Sequence, residues 1–172
     1  ELDSLSDFIS FGIAPAIVVY LWSNSLFMES SWAVVIFYAI CSSSRLAKFN
    51  LSNFEDKDDL KKIKFFSGIS TPAAAGLTLL PLMFFFRFDT PIEVNEFIMK
   101  FYLFIPAILM ITNIPTYSLK GVKFEKKIIS LLIILLASFL SLLLTDFWLA
   151  MIILIIVYFL SIPFAIIDFK KN

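Results

Sequence analysis

The sequence predicts an all-α protein, a polytopic membrane helical bundle with six transmembrane helices in 172 residues. Three observations predict it. Hydrophobic residues make up 60% of the chain and charged residues 16%, against about 45–50% and about 25% in a soluble domain. The mean hydropathy is +0.92. Cutting the sequence at its charged residues leaves six apolar stretches, and a membrane-spanning helix needs roughly 20 such residues.

The stretches run, in order, Phe8 to Met28, Ser30 to Ser44, Ser67 to Phe86, Phe101 to Leu119, Ile128 to Thr145, and Phe147 to Ile167. Five meet the length requirement directly. The second is short, and Arg45 and Lys48 can snorkel to extend it. Six stretches so close together exclude a single signal peptide, and too little polar surface exists to cover six buried helices of a soluble fold. Pro15, Pro72, Pro81, Pro106, Pro115 and Pro163 fall inside these expected helices, where neighbouring helices can re-satisfy the freed backbone. The run Asn50 to Lys64 is the longest polar segment and reads as solvated chain or a short interfacial helix.

Lysine and arginine placement orients the bundle. Of the 14 basic residues, 12 fall in the segment from Arg45 to Lys64, the segment from Lys120 to Lys127, and the tail at Lys170 and Lys171. The alternate loops, with Glu29, then Arg87 to Lys100, then Asp146, lean acidic. An even number of crossings puts Asp3 and Asp7 on the basic side, which should be the cytoplasm.

Composition also excludes function classes. The chain has no histidine, which removes Ser-His-Asp and Cys-His catalysis, His-ligated metals and histidine phosphotransfer. A formal net charge of zero gives no support to nucleic-acid binding. Cys41 is the single cysteine and cannot form an intrachain disulfide.

Several residues stand out against the membrane background. Asp3 and Asp7, spaced i, i+4, project from one face of the opening turns of the first helix. Such a pair suits a hard divalent cation, which takes oxygen ligands and commonly uses one or two carboxylates plus substrate phosphates. It equally suits a solvated helix start, where acids favour the positive end of the helix dipole. Arg45 sits at the cytoplasmic boundary beside Ser42, Ser43 and Ser44; its fork fits phosphate or carboxylate, or it is a positive-inside anchor. Lys48 reads more simply as an anchor. Asn50 either fixes the loop or contacts substrate. Asn113 and Tyr117, also i, i+4, share a face of the expected fourth helix with Ser118 and Lys120 at its end, and an amide there can bridge helices instead of binding ligand. Gly68 and Ala73-Ala74-Ala75-Gly76 give the third helix a small-residue face for packing within the chain or between subunits. Trp22, Trp32 and Trp148 read as interface anchors.

The run Glu1 to Ala16, ELDSLSDFISFGIAPA, closely resembles the second half of the signature of the CDP-alcohol phosphatidyltransferases. In that family two aspartates end one membrane helix and two more, four residues apart, begin the next. Three further patches resemble its phosphatidylserine synthase branch: SRLAKFN from Ser44 to Asn50, FSGISTPAAA from Phe66 to Ala75, and TNIPTYSLK from Thr112 to Lys120. The four patches occur in the right order and cover the chain from Glu1 to about Lys120.

The resemblance implies a two-metal transfer of a phosphatidyl group from CDP-diacylglycerol to L-serine with release of CMP. It implies Mg²⁺ or Mn²⁺, with Asp3 and Asp7 as ligands and Asp7 as the base that takes the serine proton. Arg45, Lys48, Asn50, Asn113, Tyr117 and Lys120 become candidate substrate-binding residues. It further implies a homodimer in the cytoplasmic membrane of a prokaryote, among membrane lipids, with the active site facing the cytoplasm. The family pattern also requires a first aspartate pair, a Gly and an Ala-Arg before Glu1. The expectation is therefore a single transmembrane domain over residues 1–172 whose N-terminal part is missing, with about eight helices in the full-length protein. No residue reveals the acceptor from first principles, so glycerol phosphate, inositol phosphate and choline stay open. A small transporter, compatible with polar and proline-interrupted helices, and a purely structural membrane subunit are the readings from other classes.

Overall fold

The computed structural model describes residues 2–23, 32–52, 65–89, 96–117 and 126–171. Helices occupy all six apolar stretches. Helix α1 is continuous through Leu2–Asp7, a π-helical segment Phe8–Ile13, and Ala14–Ser23. Then follow α2 (Trp32–Ser52), strand β1 (Phe65–Ser67), α3 (Thr71–Phe88), α4 (Glu96–Ile111), strand β2 (Pro115–Tyr117), α5 (Lys126–Thr145) and α6 (Phe147–Lys171). Four helical spans are long and apolar enough to cross a membrane: Leu2–Trp22, Trp32–Leu51, Thr71–Phe88 and Phe147–Phe169. The apolar helices Phe101–Ile111 and Ser130–Thr145 are shorter. The chain is a polytopic membrane protein.

Helix α2 passes straight through Arg45 and Lys48 to Ser52, but Arg45 is buried and does not extend the span by snorkelling. Two departures from the expected boundaries shape the site end. The third helix begins at Thr71 rather than Ser67, because Phe65–Ser67 pairs as a strand and Gly68 takes φ +79°. The fourth helix stops at Ile111 instead of running to Leu119. Ile114 precedes Pro115, and the residue before a proline is driven from helical to extended backbone. Pro115 therefore lies on β2, not in a helix. The strands form an antiparallel ribbon with Phe65 opposite Tyr117, Phe66 opposite Thr116 and Ser67 opposite Pro115. The segment 53–64 and the residues 118–125, including Ser118 and Lys120, lie outside the described residues.

Helix α2 packs on α4 and on the π segment of α1, while α3 touches α1, α4 and α6, and α5 packs chiefly on α6. The largest buried cluster joins Ala16, Tyr20, Val35, Tyr38, Cys41, Ile69, Ala74, Ala107, Met110 and Ile162. A bilayer removes the hydrophobic drive between helices, so close packing and hydrogen bonds hold them together. Small residues serve this within the chain: Ala74 and Ala75 are buried, and a Cβ on Gly76 would stand 3.1 Å from Ile155 of α6. Outward, Leu131 to Leu136 of α5 are all exposed, a surface suited to hydrocarbon and not to water.

Two of the in-helix prolines are each matched by a tyrosine. Pro81 has no N–H, so the carbonyl four residues earlier, on Leu77, lacks its helical donor. The Tyr102 hydroxyl of α4 donates to that carbonyl. Pro15 frees the Phe11 carbonyl in the same way, and the Tyr38 hydroxyl of α2 donates to it at 3.2 Å. Removing the hydroxyl in Tyr102→Phe leaves a buried carbonyl unpaired, and the expected loss is about 1 kcal/mol. A lowered unfolding midpoint in detergent checks this, and an unchanged midpoint refutes it.

The two ends of the bundle carry different groups. At one end Arg87 Nε meets Asp146 Oδ2 at 2.5 Å, and Asp146 Oδ1 caps α6 by accepting from the Leu149 N–H at 3.2 Å. Trp22 packs on Phe85, and Trp148 stacks on Phe86. The opposite end holds the acidic start of α1, the C-terminal end of α2, and the ribbon.

Candidate functional site

The site is built where the start of α1 meets the end of α2. Asp3 and Asp7 both lie in the α-helical turns Leu2–Asp7, so their i, i+4 spacing does put them on one face. Asp3 is exposed and Asp7 half-buried. Asn50 Nδ2 donates to Ser4 Oγ at 3.2 Å, which ties the acidic turn to the end of α2. Asn50 thus fixes one helix to another, the first of the two roles its position suggests.

Arg45 and Lys48 reach the other side of the same end. Arg45 is 7% exposed, and its Nε donates to the Ile69 carbonyl at 3.1 Å. Its guanidinium carbon lies 5.9 Å from the centroid of the Phe49 ring, the outer limit of a useful cation–π distance. A buried guanidinium is not a simple anchor in the headgroup layer. It holds the connection between β1 and α3 against α2. Ser43 and Ser44 do not join it; both hydroxyls donate to the Ile40 carbonyl, at 2.9 and 2.8 Å. Ser42 is buried against Gly12 instead.

Lys48 is exposed, and its Nζ donates to Asn113 Oδ1 at 2.5 Å. Asn113 is exposed just past the end of α4, while Tyr117 is on β2. The shared helix face expected for these two does not exist, because α4 has ended before Asn113. The amide bridges elements through Lys48 all the same. Lys120 lies outside the described residues.

The ribbon connects these parts. Gly68 N–H donates to the Ile114 carbonyl at 2.8 Å, and Ile69 N–H to the Leu109 carbonyl at 3.3 Å. The buried Thr116 hydroxyl donates to the Gly68 carbonyl at 3.0 Å. A Cβ at Gly68 would stand 2.7 Å from the Thr112 carbonyl oxygen and 2.8 Å from that of Met110. Sequence reasoning missed Ser4, Thr116 and the Ile69 carbonyl as partners. It also missed Tyr38, for which Pro15 was the available signal, since an in-helix proline announces an orphan carbonyl four residues earlier.

The arrangement places two carboxylates, an amide, a lysine and a guanidinium at one end of a membrane bundle. Asp3 and Asp7 are oxygen donors on one face, the chemistry a divalent cation bridging to phosphate requires. Among the described residues no cluster of three or more acidic, cysteine or histidine side chains forms a self-sufficient metal cage. The pair therefore fits half of the four-aspartate set that the resemblance implies.

No protein-family model matches the chain. Curated relatives do. The chain is 29% identical over 166 residues to a CDP-diacylglycerol–serine O-phosphatidyltransferase of Mycobacterium bovis, covering 96% of this chain and 58% of that protein. It is 32% identical over 138 residues to the Helicobacter pylori protein of the same name, covering 80% of this chain and 56% of the relative. A Methanocaldococcus jannaschii protein, again of that name, is 39% identical over 77 residues, covering 44% of this chain and 31% of the relative. The chain spans a little over half the length of the mycobacterial and Helicobacter relatives it matches.

Proposed function

We propose, from the premise that this chain belongs to the CDP-diacylglycerol–serine O-phosphatidyltransferase branch of the CDP-alcohol phosphatidyltransferases, that the protein makes phosphatidylserine. The reaction joins the serine hydroxyl oxygen to the phosphorus that bears diacylglycerol and breaks the bond from that phosphorus to the CMP oxygen. The observation that carries the reading is the Asp3–Asp7 turn held against the end of α2 through Ser4 and Asn50.

Asp7 accepts the proton of the serine hydroxyl as the oxygen attacks, which requires its carboxylate within hydrogen-bond reach of that hydroxyl. Asp3 and Asp7 are the residues of this chain that would hold Mg²⁺ or Mn²⁺. When bound, the metal supplies neutralisation of the pyrophosphate charge and alignment of the attacking and leaving oxygens. Arg45, with Nε committed to the Ile69 carbonyl, presents the rest of its fork toward an anionic group, the diacylglycerol-bearing phosphate or the serine carboxylate. Lys48, Asn50, Asn113, Tyr117 and Lys120 complete the substrate side. The enzyme sits in the cytoplasmic membrane of a prokaryote as a homodimer, with the Asp3–Asp7 end facing the cytoplasm.

The test is CMP release by the full-length protein in detergent or liposomes, supplied with CDP-diacylglycerol, Mn²⁺ or Mg²⁺, and one acceptor at a time. The expected result is release with L-serine, none with glycerol phosphate, inositol phosphate or choline, and loss on chelation. Turnover with another alcohol alone reassigns the acceptor. Metal-independent turnover rejects the carboxylate role.

A further inference from the structure

The acids and the membrane part of α1 are separated by a defect in the helix. In the π segment Phe8–Ile13 the Ala14 N–H reaches back five residues, to the Ile9 carbonyl. Such a segment carries one extra residue in a turn, and everything before it rotates by about 100° relative to an unbroken α-helix. Asp3 and Asp7 stand before the defect and Pro15 just after it. The direction in which the acids face therefore depends on this turn keeping its extra residue.

Two contacts from α2 grip the turn. The Tyr38 hydroxyl donates to the Phe11 carbonyl, and Tyr38 is completely buried. One turn further along α2, Ser42 lies so close that a Cβ on Gly12 would stand 2.3 Å from its Oγ. Ser42 Oγ has no hydrogen-bond partner among the described residues, so this second contact works by shape. Of these two contacts Tyr38 supplies the directional bond, and it does so to a carbonyl that Pro15 has left without its α-helical donor.

We propose that Tyr38 is a positioning residue for the reaction: by holding the Phe11 carbonyl it locks the π turn and so sets the facing of Asp3 and Asp7. The proposal rests on the reading that these two aspartates hold the metal and that Asp7 takes the serine proton. Tyr38 touches neither substrate nor metal and acts through the helix. Tyr102 provides a matched comparison, because it makes the same bond to another proline-freed carbonyl, on Leu77, away from the acidic end.

The experiment compares Tyr38→Phe with Tyr102→Phe in the full-length protein. It reads kcat and KM for serine and CDP-diacylglycerol, the affinity for Mn²⁺ alone by electron paramagnetic resonance, and the unfolding midpoint. Both variants are expected to unfold at similarly lowered temperature. Tyr38→Phe is expected to lower kcat by about tenfold or more, with KM nearly unchanged, and to weaken Mn²⁺ binding by about tenfold, since small misplacements of catalytic groups are costly. Tyr102→Phe should leave kcat and Mn²⁺ affinity at wild-type values. Pro15→Ala restores an N–H for the Phe11 carbonyl, so Tyr38→Phe added to it should cost less than half as much in kcat. That double variant also answers the case in which Tyr38→Phe alone does not fold. Equal behaviour of the two tyrosine variants in kcat and Mn²⁺ affinity overturns the proposal. If the wild type binds Mn²⁺ but releases no CMP with serine, the reading of the reaction falls, and the Mn²⁺ comparison still decides the positioning role. A wild type that binds no Mn²⁺ overturns both.

Discussion

Asp7→Asn is expected to lower serine-dependent CMP release by roughly 10³-fold or more, while the protein stays folded. General-base catalysis by a positioned side chain is worth about 10²–10⁴-fold, and in the proposed reaction the same carboxylate would also be a metal ligand. Asparagine keeps the shape of aspartate but can neither accept the proton nor bring a negative charge to the metal. Asp7 is half-buried at the end of the turn Leu2–Asp7, outside the buried clusters of the bundle, so its neutralisation has little to disturb in the packing. An unchanged unfolding midpoint checks that point. Asp3→Asn, which removes a ligand and no base, should be rescued in part by raised Mn²⁺ concentration, whereas Asp7→Asn should not. Turnover surviving in Asp7→Asn sinks the base assignment.

Gly68→Ala is expected to have the largest effect on the fold, a loss of at least about 3 kcal/mol. An L-residue held in the left-handed region costs about 1–3 kcal/mol by itself. The added methyl would also approach the Thr112 and Met110 carbonyl oxygens at 2.7 and 2.8 Å. Both are backbone atoms at the end of α4 and cannot move without breaking the bond between Gly68 N–H and the Ile114 carbonyl. The measurement is the unfolding midpoint together with the yield of monodisperse protein from membranes. Gly76→Ala, whose neighbour is the flexible Ile155 side chain, should be much milder. Wild-type stability in Gly68→Ala would mean the ribbon does not constrain the bundle.

The helices are legible because they rest on composition, which acts over whole segments. The α1 start at Asp3 and Asp7 was legible too, since its spacing holds in a regular α-helical turn. Two three-residue strands offer no periodicity to read, so the ribbon went unseen and the fourth helix was drawn through Pro115. The expected pairing of Asn113 with Tyr117 failed for the same reason: i, i+4 proximity presupposes a helix. The position of Arg45 suggests an anion or the headgroup layer, yet its Nε partner is the Ile69 carbonyl. Backbone acceptors belong to every residue alike, so no sequence pattern marks which one a side chain will choose. The proline–tyrosine bonds were half legible, because a proline names the orphan carbonyl but not the donor.

The ribbon has a bearing on how the protein is made. It pairs residues 65–67 with 115–117 and so staples the base of the α3–α4 hairpin. Both strands and the two helices between them are present in the chain once Tyr117 has been synthesised, so no later residue is needed for that pairing. Biogenesis can therefore deliver α3 and α4 to the bilayer as one pair of legs with a fastened waist. Arg45 joins α2, which precedes them in the chain, to that waist through the Ile69 carbonyl. Helix α6, the last described helix in chain order, lies against both β2 and α3. Damage at Gly68 would thus be expected to lower the yield of folded protein from membranes as well as its unfolding midpoint.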